Sequence, residues 1–118
     1  MTRDLIENSL FLNLSNQGRF YAFKNQLIKD FNDHHFEEKI SNCTEQTLEV
    51  LLEELRLSLN QKFNESEVVF SQLLYQLDMP EKMTRDFFSS TQKDWIYFAD
   101  QVAKRVFLKV ILKEKYKS

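Results

Sequence analysis

An all-α fold, a compact bundle of five or six helices, is what this sequence predicts, and three observations carry the prediction. Glycine and proline occur once each, apolar residues recur at helical spacing along most of the chain, and helix-start signals punctuate it. Sheet proteins of this length draw on many glycines and prolines for their turns, so a chain with only Gly18 and Pro80 has little from which to build hairpins. With 118 residues, 42% of them hydrophobic and 29% charged, the chain can bury a core without a metal or a disulfide framework. We therefore expect a single helical domain over residues 1–118.

The amino-terminal stretch is the ambiguous one. Leu10-Phe11-Leu12-Asn13-Leu14 alternates weakly like a strand, whereas Ile6, Leu10 and Leu14 repeat at helical spacing. Asn16-Gln17-Gly18 is a turn signal, so residues 9–23 admit a hairpin or two helices, with the helices preferred. From Phe20 to about Asn32 the series Phe23, Leu27, Phe31 keeps one helical face. Asp33 to Cys43 has few apolar residues and reads as a connection with at most a short helical turn. Asn42 with Glu45 resembles a capping box, and Leu48, Leu51, Leu52, Leu55 and Leu59 then form a core stripe to Phe63. Val50 and Leu57 project from the opposite side of that helix.

Asn64 with Glu67, flanked by Phe63 and Val68 as a hydrophobic staple, predicts the next helix start. Its buried side is expected at Val69, Leu73, Leu74 and Leu77. Asp78 and Glu81 around Pro80 suggest the cap of a short helix to about Phe88. Thr91 with Asp94 opens the last helix, whose core face holds Trp95, Phe98, Ala99, Val102, Val106 and Val110, widened by Ile96, Ala103, Phe107 and Ile111. So broad a face belongs at the centre of a bundle. Past Leu112, Lys113 and Lys117 fall on the core side, so the helix should leave the core there.

The segments Leu73-Leu74-Tyr75-Gln76-Leu77-Asp78-Met79-Pro80-Glu81-Lys82 and Arg105-Val106-Phe107-Leu108-Lys109-Val110 resemble a family of small uncharacterised helical proteins from Bacteroidetes bacteria, over roughly residues 64–116. The resemblance implies a shared helical fold and no activity.

The charge is uneven. Residues 104–118 hold six basic residues against one acidic, a net +5, while the rest hold ten basic and seventeen acidic, a net −7. A basic tail on an acidic body suits an acidic partner or a nucleic acid, or simply complements a helix dipole. Glu45, Glu49 and Glu53 form an acidic line that is either solvated or docks on a basic surface, supplied by the chain's own tail or by a second copy. The lone Cys43 suits a reducing, cytoplasmic setting, and no segment has the length of apolar chain needed to span a membrane.

Asp33, His34, His35, Glu37, Glu38 and Cys43 are the one concentration of potential metal ligands, but the paired-ligand spacings of zinc and di-iron sites are missing. A serine elbow and a phosphate-binding glycine loop are also missing, so no enzymatic activity and no cofactor are expected. The predicted role is a protein-interaction or self-associating module, with a second protein or a second copy of the chain as partner. The expected surface is Val50, Leu57, Tyr97, Leu108, Leu112, Lys109 and Lys113. Nucleic-acid binding through Lys104, Arg105, Lys109, Lys113, Lys115 and Lys117 is the alternative.

Overall fold

Each helix of this protein buries one apolar stripe, and the order of stripes along the chain sets the architecture. The computed structural model describes Leu14 and residues 17–117, in which there are six α-helices and no strand. They are α1 (Gln17–Phe31), α2 (His34–Ile40), α3 (Leu48–Glu65), α4 (Glu67–Gln76), α5 (Glu81–Ser89) and α6 (Trp95–Lys117), with a short 3-10 turn at Glu45–Thr47 before α3. Leu14 is helical and fully buried; the rest of the helix-or-hairpin alternative before Gln17 lies outside the described residues. Residues 19–23 are helical, so the hairpin reading fails there: Phe20, Phe23, Leu27 and Phe31 share a buried face that no two-residue period would produce.

The run from Asp33, expected as a connection, contains a full helix. Asn32 adopts a left-handed conformation (φ 52°), which asparagine tolerates and which ends α1. Asp33 then caps α2, its Oδ1 accepting from the N–H groups of His35 (2.8 Å) and Phe36 (3.2 Å). Two buried residues, Phe36 and Ile40, hold α2 down, with Phe36 stacked on Phe31 at 4.1 Å between ring centroids. The far end of α2 is closed by Lys24, whose buried Nζ donates to the carbonyls of Ser41 and Cys43, both at 3.0 Å, and lies 4.8 Å from the Tyr21 ring centroid.

Two expected caps are displaced. Thr44, not Asn42, opens the turn before α3: Thr47 Oγ1 accepts from the Thr44 N–H at 2.8 Å and Thr44 Oγ1 accepts from Gln46 at 3.3 Å. Asn64 remains inside α3, bonded to Asn60, and Ser66 caps α4 by accepting from the Val69 N–H at 2.9 Å. The break therefore falls two residues later than expected. Val68 is exposed and Phe63 turns into the core instead of forming the staple. Ser66→Ala should cost about 1 kcal/mol, whereas Asn64→Ala should change stability by no more than a few tenths; paired urea titrations would check this.

On α4 the buried aromatic is Phe70, while Val69, expected inside, is partly exposed. Asp78 does not cap the next helix. It is left-handed (φ 58°) and ends α4, after which Pro80 leads into α5 with no side-chain cap. Asp94 itself caps α6, accepting from the Tyr97 N–H at 3.0 Å, while Thr91, expected to open the helix with it, lies in a bend before it, so α6 starts later than that pair implies. Phe63, Phe70, Phe87, Phe88, Trp95 and Phe98 meet as one aromatic cluster joining α3, α4, α5 and α6, with Phe87 and Phe98 stacked at 4.2 Å.

Helix α6 packs most extensively against α3 and α1. It buries Phe98, Ala99, Val102, Ala103, Val106 and Val110, as its wheel predicts. Ile96 departs from that expectation and is exposed, because it sits in the first turn, before the stretch of helix whose flank is covered. Among the described residues no helix is long and apolar enough to cross a membrane.

Candidate interaction surface

The stripe on α6 leaves its opposite side unburied, and this side carries Tyr97, Leu108 and Leu112, between two-fifths and one-half exposed. A helical wheel places them on one arc with Gln101, Lys104 and Lys115. The outer side of α3 is similar in its apolar content: Val50 and Leu57, seven residues apart, are 52% and 43% exposed. Exposed leucines are individually ordinary, and what distinguishes these is their alignment on two helix faces. Five of the seven residues expected at the surface are thus exposed and aligned.

Lys109 and Lys113 are placed differently. Lys109 Nζ lies 2.7 Å from Asp30 Oδ2 on α1 and 2.8 Å from Asp78 Oδ2 after α4, with its side chain 16% exposed. Burial works against its charged form, yet the bonds from the two carboxylates more than offset this and hold the ammonium above its usual range. Gln26 Nε2 donates to Asp30 Oδ1 at 2.8 Å, and Lys113 donates to Gln26 Oε1. Arg105 Nε donates to the Asp78 carbonyl at 3.0 Å. Much of the basic tail is therefore bonded to the chain's own α1 and to the α4–α5 turn. These are internal ties, and none of them reaches the acidic line of Glu45, Glu49 and Glu53.

The candidate ligands after α1 are dispersed. Asp33 caps α2 and pairs with Lys62 Nζ at 2.5 Å, His34 Nε2 lies 2.8 Å from Glu38 Oε1, and Cys43 is a buried free thiol. The left-handed Asn32 breaks the helical register that would have aligned Asp30 with His34. Among the described residues no group of three His, Cys, Asp or Glu side chains is placed to hold a metal ion.

The Lys62 hydrogen bond is the main cause that lowers the Asp33 pKa, against desolvation and with help from the Phe36 and His35 amides. A carboxylate whose folded pKa lies below its unfolded value of 3.8 stabilises the fold above that value, and the contribution is lost as pH falls through the folded pKa. The stability difference between the parent and Lys62→Met should accordingly be constant near neutrality and shrink below about pH 4, as urea unfolding across acid pH would show.

A cleft of about 430 Å³ lies between α5 and the start of α6, lined by Met83, Phe87, Tyr97 and Phe98 with Lys82 and Asp86 among its polar residues. Its aromatic wall is the edge of the core cluster, and Tyr97 links it to the outer arc of α6. No family model, curated protein or solved structure matches this chain.

Proposed function

We propose that the chain is a protein-interaction module without catalytic activity, acting in a reducing cytoplasmic setting, and that it associates through the outer face of α6. The observation that carries this reading is the alignment of Tyr97, Leu108 and Leu112 on one exposed arc of the helix whose other side is the centre of the core. A face on a helix packed along its inner side against α3 and α1 is pre-organised, so little ordering cost attends its docking. The basic residues that line it add orientation and rate more than affinity.

Nucleic-acid binding fits less well, because Lys109 is held by Asp30 and Asp78 and Arg105 by the Asp78 carbonyl. Phosphate contacts need cations turned outward, and such binding must weaken steeply with salt. No appreciable affinity for DNA or RNA is expected at physiological salt. For the association reading, sedimentation at micromolar concentration should show species heavier than a monomer. Leu108→Glu should weaken association about tenfold or more while circular dichroism stays helical. An unchanged sedimentation profile in that variant would remove the α6 face from the account.

A further inference from the structure

Of the described helices, α4 alone has no charged residue beyond its first turn. After Glu67 the run Val68-Val69-Phe70-Ser71-Gln72-Leu73-Leu74-Tyr75-Gln76 is uncharged, in a chain of which 29% is charged. Phe70, Leu73 and Leu74 face the core, while Val68, Gln72 and Tyr75, at steps of four and three residues, form one line along the solvent side, flanked by Ser71 and Gln76. Val68 is 66% exposed and Tyr75 84%. A solvated helix face ordinarily carries charge, whereas the centre of an interface is depleted of it and enriched in tyrosine. Glu67, the one charge on α4, lies about 100° around the helix from Val68. Beside Tyr75 opens a cleft of about 460 Å³ between the end of α4, the start of α5 and α6. The buried Leu74 and Met79 form its floor, and Thr84 lines it from α5. Its charged residues are of both signs: Glu81, Asp78, whose carboxylate is held by Lys109, and Arg105, whose Nε is held by the Asp78 carbonyl.

We propose that the chain pairs with a second copy of itself across a two-fold axis at α4, Tyr75 of each copy entering the cleft of the other. This face is separate from that of α6, and the pairing stands independently of the reading given above. A projection and a hollow side by side on one surface are self-complementary, because a single two-fold rotation seats both at once. Any other protein would have to supply a hollow and a projection in the same arrangement. Like meets like without charge conflict along Val68, Gln72 and Tyr75, and Gln72 and Gln76 can bond to their counterparts because an amide both donates and accepts. Tyrosine suits the seat: its ring lies against Leu74 and Met79, and its hydroxyl reaches the polar residues of the cleft. The face is preformed, since α4 packs on α3 and α1.

The test is made in full-length Leu108→Glu protein, altered on the α6 face, so that sedimentation reads the α4 contact alone; comparison of this protein with the parent decides the α6 reading separately. It should form dimers and nothing larger at about 100 µM, in the range of a small interface. Adding Tyr75→Glu, which removes the projection, or Thr84→Arg, which obstructs the cleft, should each weaken dimerisation about tenfold or more with helical circular dichroism retained. Mixed in equal amounts, these two variants should dimerise more tightly than either alone, because one intact Tyr75 meets one open cleft and the charges introduced at the other seat are opposite. A Leu108→Glu protein that is monomeric at about 100 µM would assign the α4 face to a different protein and overturn the pairing. A Tyr75→Glu variant that dimerises unchanged, or a mixture no tighter than its components, would overturn it as well. Loss of the dimer in Tyr75→Glu with none in Thr84→Arg would place Tyr75 outside the partner's cleft and overturn the two-fold seat.

Discussion

Phe70→Ala should lower the unfolding free energy by about 3–5 kcal/mol, the largest effect expected of any single truncation in this fold. Phe70 is fully buried, and its ring lies 5.3 Å from Phe63 of α3, 5.7 Å from Phe88 and 6.0 Å from Phe87 of α5, and 6.1 Å from Phe98 of α6. Truncation removes the burial of a large aromatic surface and leaves a void among rings that belong to three other helices. Planar side chains held from three directions cannot all shift to fill it, so the cavity contribution should persist. Leu55→Ala, on the continuous stripe of α3, should cost about 2–4 kcal/mol. Urea unfolding of both variants would check the order. A Phe70→Ala protein as stable as Leu55→Ala would mean that the aromatic cluster relaxes more than its packing suggests.

The comparison of these two positions shows what was legible in the sequence. Leu55 could be placed because Leu48, Leu52, Leu55 and Leu59, with Leu51 adjoining, recur at helical spacing over three turns. Phe70 could not. Val69 with Leu73 and Phe70 with Leu74 both fit four-residue spacing in a short helix, and the choice between them is made by rings from α3, α5 and α6. The same distinction holds for the caps. Asn64 and Ser66 both satisfy the local pattern of a helix start, and the pattern carries no information about which residue takes the extended backbone; Ser66 does, at φ −171°.

The outer faces of α3 and α6 were legible for the same reason as the buried ones, since a residue opposite a core stripe is exposed unless another helix covers it. Val50, Leu57, Tyr97, Leu108 and Leu112 all follow that rule. Asp33 was hidden because a cap followed by two histidines and two glutamates has the composition of a loop, and only Phe36 and Ile40, meeting α1 and α3, make a helix of it. The tie between Lys109 and Asp30 spans 79 residues of sequence, and no local spacing encodes it.

Removing that tie should have an effect comparable to truncating the leucine stripe. Lys109→Met keeps the length of the side chain and deletes the ammonium, which leaves the Asp30 carboxylate, 11% exposed, with the Gln26 amide still donating to it. Breaking a buried pair from one side is costly because the remaining charge stays desolvated, and for a pair with this residual exposure about 3 kcal/mol is expected. Asp78, 59% exposed, keeps its access to water and should contribute little of that loss. The contribution of Lys109 has a defined pH window. Its folded pKa is raised above the usual 10.5, so the stabilisation is complete below that value and is lost as pH rises through the folded pKa. Asp30→Asn in the Lys109→Met background removes the stranded charge while leaving an acceptor for Gln26, and should restore more than half of the loss. Urea unfolding of the two single variants and the double at neutral pH measures this. A double variant as unstable as the sum of the singles would show that Lys109 acts through the packing of its stem and not through the Asp30 carboxylate.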